Sequence, residues 1–121
     1  MVDHKFGWSD WLSGNDYEPG TVIWPTISKY VGRRTQKDVM GEEQDYGFYL
    51  VDIDGRKGIE YRMNMENERE LRMTFGVESP LLLEGHKLGL KVIAFNKGNG
   101  FMVTGLLDLS GKSMPKAGAK K

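Results

Sequence analysis

Tyr46-Gly47-Phe48-Tyr49-Leu50-Val51-Asp52-Ile53 leads through Asp54-Gly55-Arg56-Lys57-Gly58 into Ile59-Glu60-Tyr61-Arg62-Met63-Asn64. Two runs rich in β-branched and aromatic residues flank an Asp-Gly start. That combination is a strong short-range sign of a β-hairpin, here with a loop longer than two residues. Downstream, Lys87–Phe95 and Phe101–Leu109 form a second such pair around Asn96-Lys97-Gly98-Asn99-Gly100, whose glycines permit the positive φ of a tight turn. Upstream, the run from Thr21 to Gly32 carries Val22, Ile23, Trp24, Ile27, Tyr30 and Val31. Pro25 confines the first half of that strand to an edge or a bulge, since proline cannot donate to a ladder. Strict alternation from Ile27 places Lys29 among apolar residues and Tyr30 outward, which is a flaw in a regular strand. Sixteen glycines punctuate the chain, and short strands between regular turns argue for a small antiparallel barrel or sandwich.

Residues 65–83 admit two readings. Glu66, Glu68, Arg69, Glu70, Leu71, Arg72 and Phe75 suit a short helix capped by Asn64, whereas Leu71 to Phe75 alternates like a strand. The helix is preferred.

With 121 residues the chain suffices for one core. No apolar run is long enough to cross a bilayer, and charged residues interrupt the N-terminal stretch where a signal peptide would lie. A cytoplasmic setting is expected, nucleoid-associated if the protein binds DNA. Absent cysteine removes disulfides, thiol nucleophiles and cysteine-ligated metals. His4 and His86 are the only histidines and lie far apart, which leaves little for a catalytic triad or a zinc site. Gly98-Asn99-Gly100 sits between strands, not before a helix as a phosphate-cradling loop does. Neither catalysis nor a cofactor or metal is expected.

Net charge is zero, yet unevenly spread. Residues 1–20 hold four acids against Lys5, and residues 112–121 hold four lysines and no acid. Attraction for phosphate therefore has to come from local patches. Phe6, Trp8, Trp11 and Leu12 in the acidic N-terminal stretch suit a segment folded back onto the body, while Gly111–Lys121 has little to bury and is expected to be disordered.

Several of these stretches carry a resemblance. Leu50-Val51-Asp52-Ile53-Asp54-Gly55 followed by Ile59–Asn64 resembles the strand-two, turn, strand-three passage of OB-fold single-stranded DNA-binding domains of the replication protein A and archaeal SSB type. Glu84-Gly85-His86-Lys87-Leu88-Gly89-Leu90-Lys91 is similar to their approach to strand four, with His86 in place of the usual acid. Phe101-Met102-Val103-Thr104-Gly105 is similar to their strand five. The resemblance implies a mainly β, five-stranded Greek-key OB-like barrel over residues 21–110, with a short helix between strands three and four. An N-terminal extension (1–20) would pack on the barrel, and a basic tail (111–121) would follow.

It also implies a function: non-catalytic binding of single-stranded nucleic acid, DNA more than RNA, in replication or repair. Self-association or a replication or repair partner protein would accompany it, and no membrane. Such binding needs exposed rings for bases and cations for phosphates. By position in the resembling domains, the stackers fall on Tyr30, Tyr46 and Phe95, and the phosphate contacts on Arg33, Arg34, Lys37, Arg62 and Lys97. The loop between the first two strands would run from Arg33 to Asp45, and its own Glu42, Glu43 and Asp45 oppose phosphate there. Phe48, Tyr61 and Phe101 read as core, and Trp8, Trp11 and Trp24 as packing residues. The alternatives are a protein-interaction adaptor using the same face and an RNA-binding domain of the S1 or cold-shock kind.

Overall fold

The computed structural model describes residues 11–37, 40–95 and 98–107. The expectations for residues 1–10, Lys97 and the lysine tail lie outside the described residues. The elements are β1 (Val22–Ile23), β2 (Thr26–Lys37), β3 (Glu43–Ile53), β4 (Arg56–Met63), α1 (Met65–Phe75), β5 (Lys87–Phe95) and β6 (Gly98–Leu107), with 3-10 turns at Gly14–Asp16 and Pro80–Leu83. The protein is mainly β: one antiparallel sheet in the order β1-β5-β2-β3-β4, with β6 on the other side of β5. The ladder does not close into a barrel. Among the described residues no helix is long and apolar enough to cross a membrane.

The first hairpin is tighter than its sequence suggests. Ile53 pairs with Arg56 across Asp54-Gly55 alone, both at positive φ (53° and 79°). Those angles define the two-residue turn that matches strand twist. The residues assigned to the loop, Lys57 and Gly58, belong to β4, and a bulge absorbs them where Gly58 N–H donates to Asp52 Oδ1 at 2.8 Å.

Upstream, β1 and β2 lie end to end along β5 in one unbroken register. Only Trp24 and Pro25 separate them; Pro25 has no N–H, and its carbonyl still accepts from Leu88 N–H at 2.9 Å. The flaw at Lys29 is resolved by two bulges in β2, at Ser28 and Val31. Each extra residue flips the alternation, so Ile27 and Tyr30 both turn toward the core and Lys29 turns away. Ser28 Oγ donates to the Leu50 carbonyl at 2.9 Å and fills the gap in the ladder.

The stretch expected as a long loop, Arg33–Asp45, is mostly strand. Arg33 to Lys37 pairs residue by residue with Glu43 to Gly47. Both faces of this ribbon are polar, so no apolar alternation announces it.

α1 forms as read. Asn64 caps it, its side chain accepting from Asn67 N–H at 2.9 Å, and Gly76 ends it in the left-handed conformation. Leu71 and Phe75 are buried in the same core cluster as Ile27, Tyr49, Val51, Ile59, Tyr61 and Met63.

Among the described residues, β4 and β6 are long edges of the unclosed ladder, and both carry partners from outside the sheet. Leu12 N–H donates to the Glu60 carbonyl of β4 at 2.8 Å. A few residues on, Asn99 of β6 donates from its backbone to Asn15 Oδ1 at 2.8 Å and from its side chain to the Tyr17 carbonyl at 3.1 Å. The rest of the β6 edge is served by Asn67 of α1. Its amide donates to the Phe101 carbonyl and accepts from Val103 N–H, both at 3.0 Å, as a neighbouring strand would. Unpaired edges invite association, and here side-chain amides and the segment 11–17 occupy them.

Candidate nucleic-acid interface

Pairing decides which side chains share a face, because directly opposed residues in an antiparallel pair point the same way. On β2–β3–β4 the face away from the core collects Arg34 opposite Tyr46, and Phe48 opposite Arg62, with Gln36 beside them. Phe48 is fully buried yet stands outside the core cluster. The Arg34 guanidinium lies over its ring at 4.2 Å from the centroid and reaches Glu60 Oε2 at 3.8 Å. One strand across, the Arg62 guanidinium lies 5.0 Å from the ring of Trp11 and donates to Gln36 Oε1 at 2.9 Å. Trp11 is 43% exposed and the Arg34 side chain 55%. Rings and guanidiniums thus alternate across one face: Trp11, Arg62, Phe48, Arg34. Cation–ring contacts at exposed sites contribute about 0.5–1 kcal/mol each and hold both partners in place.

The opposite face treats its arginine differently. Arg33 lies opposite Gly47 and is forked between two carboxylates. Its Nη1 and Nη2 donate to Glu68 at 2.7 and 3.0 Å, and its Nε and Nη2 donate to Asp45 Oδ2 at 3.2 and 2.9 Å. A side chain at position 47 would sit 2.6 Å from the Glu68 carboxylate, so the glycine makes this bridge possible. The hydrogen bonds it donates to Glu68 and to Asp45 hold the guanidinium pKa above its ordinary value. Arg33 ties the ribbon to α1, and its charge is already neutralised.

Among the eight residues singled out from sequence, Arg34, Tyr46 and Arg62 come together. Tyr30 does not join them: it packs against the core with its ring 5.2 Å from that of Tyr49, a consequence of the bulge at Ser28. Arg33 faces the carboxylates just described. Lys37 stands exposed opposite Glu43 near the tip of the ribbon. Phe95, 62% exposed, ends β5 and lies over Gly100, where a side chain would meet its ring at 2.7 Å. Lys97 lies outside the described residues.

Two members of the face escaped the sequence reading. Phe48 reads as core and is indeed fully buried, but under Arg34 on the outer face and not within the main core cluster, since its even spacing from Tyr46 places both on one side. Trp11 was assigned to packing, and no local signal links it to Arg62, since their contact depends on Leu12 docking on β4. Tyr61 is buried in the core and Phe101 packs against it, as expected.

Among the described residues no group of three or more His, Asp or Glu side chains is placed to hold a metal ion. No protein-family model matches the chain, and no curated protein or solved structure is significantly similar to it.

Proposed function

We propose that this protein binds single-stranded nucleic acid, DNA in preference to RNA, on the outer face of β2–β3–β4, and does so without catalysing a reaction. The observation that carries the reading is the alternation of Trp11, Arg62, Phe48 and Arg34 across one face. Arg34 and Arg62 offer phosphate contacts, Trp11 offers an exposed ring on which a base stacks, and the fully buried Phe48 serves as the bed that holds Arg34. The face thus pairs cations with an open ring, as sequence-tolerant strand binding requires. Tyr46, opposite Arg34, extends that surface.

The strand path favours an OB-like barrel as the frame. A three-stranded meander leads through a helix to β5, which returns beside the start of β2, and β6 follows as its hairpin partner. In this frame the meander is the platform, and the β2–β3 ribbon and the β5–β6 turn flank it. Arg33 serves as a positioning residue that fixes the ribbon against α1.

Titration with oligo-dT, oligo-U and duplex DNA, followed by tryptophan fluorescence, tests this. The expected order is oligo-dT over oligo-U over duplex, with affinity falling as salt rises. Arg34→Ala and Arg62→Ala should each weaken oligo-dT binding by about tenfold while leaving the thermal midpoint within a few degrees. A response equal for duplex and single strand, or unchanged affinity in both variants, would overturn the assignment.

A further inference from the structure

We infer that a second site, in the cleft beside Trp24, takes a single nucleoside phosphate, with its base against the indole and its phosphate between Lys57 and Lys87. The six-membered ring of Trp24 rests where two cross-strand partners, Gly89 of β5 and Gly105 of β6, leave a bed without side chains. A Cβ at either position would fall 2.7 and 2.9 Å from the ring, so the paired glycines reserve the space. Such a bed holds the indole in place from one side. Trp24 keeps 40% of its surface exposed and lines a cleft of about 490 Å³. That volume falls in the range that holds small ligands.

The polar lining decides the ligand's charge. Two carboxylates and three cations line the cleft, an excess of one positive charge. Asp52, which accepts from Gly58 N–H at 2.8 Å, and Asp54, which accepts from the Tyr17 hydroxyl at 2.9 Å, stand against Lys57, Lys87 and Arg56. Lys57 and Lys87 are exposed, line the same cleft and have no carboxylate partner among the described residues. Arg56, buried in the wall beside Tyr17, adds a third positive charge. A held, half-open ring next to two unpaired ammoniums selects a flat group carrying an anion, and a nucleoside phosphate has both in one molecule.

The cleft opens on the side of the sheet that bears the Arg34 face. Tyr46, Phe48, Leu50 and Asp52 alternate along β3 toward it, about 20 Å from end to end at the usual rise per residue. A free nucleotide and one unit of a strand share the chemistry, and the site needs only one nucleotide whether or not a strand crosses the face.

The test follows the indole N–H resonance of Trp24, assigned by its loss in Trp24→Phe, in the full chain. Probes are thymidine monophosphate, thymidine, inorganic phosphate and octathymidylate. A saturable shift is expected with thymidine monophosphate or with octathymidylate, weakened about tenfold or more in Lys57→Gln/Lys87→Gln. A response to the mononucleotide marks a free ligand, and a response to the oligomer alone marks a strand segment. Either result supports the site. No shift with either probe, a shift that survives loss of both lysines, or an equal shift from inorganic phosphate overturns it. Arg34→Ala/Arg62→Ala should leave the mononucleotide response intact, so the two sites can fail separately.

Discussion

The hydroxyl of Tyr61 is buried in the core and has no hydrogen-bond partner among the described residues, while its ring lies 6.1 Å from Phe101 and 6.2 Å from Tyr49. The ring is the useful part of this side chain, because it joins β4 to β6 where no ladder bond does. An unpartnered buried hydroxyl costs about 1–3 kcal/mol. Tyr61→Phe keeps the ring and removes that cost, so it should raise stability by about 1 kcal/mol in urea denaturation. A lower midpoint would show that the hydroxyl has a partner. The same burial bears on pH. Burial, as the largest cause, raises the pKa of Tyr17, Tyr49 and Tyr61 above the ordinary tyrosine value, with Asp54 adding to it at Tyr17 and Glu68 at Tyr49. A group whose pKa is higher folded than unfolded stabilises the fold in full below its unfolded value and loses that contribution progressively as pH rises from there through the folded value. Urea midpoints should therefore stay level up to pH about 9.5 and fall above about 10. A midpoint that holds or rises to pH 11 would contradict the burial of these hydroxyls.

Among the elements, those legible in sequence are the ones with one apolar face. The β3–β4 and β5–β6 hairpins and α1 announce themselves through period and punctuation: Val51, Ile59 and Tyr61 recur on the core side, and Asn64 and Gly76 bracket the helix. The β2–β3 ribbon was invisible because Thr35, Gln36, Gln44 and Asp45 are polar on both sides. The bulges at Ser28 and Val31 were legible only as a misfit at Lys29, and missing them misplaced Tyr30. Least legible were the edge covers, since the bonds of Asn67 to β6 join residues more than thirty positions apart. Asn67→Leu tests their weight. It leaves the Val103 N–H and the Phe101 carbonyl without these partners at a buried position, so stability should drop by about 2 kcal/mol. Unchanged stability would show that these bonds carry no weight.

For the molecule as a whole, zero net charge leaves no general attraction for a polyanion, so the account depends on separation of charge between faces. On one side Arg33 is consumed by Asp45 and Glu68. On the other, Arg34 and Arg62 lie over rings with Glu60 as their acidic neighbour. Sequence alone found three residues of that face and also placed on it Tyr30 and Arg33, which turn the other way. The most direct measurement is a map of backbone amide shifts on adding octathymidylate at low salt. The account predicts that shifts concentrate at Trp11, Arg34, Gln36, Tyr46, Phe48 and Arg62 and fade as salt is added. Shifts centred instead on α1 and the Arg33 cluster, or none at any position, would contradict it.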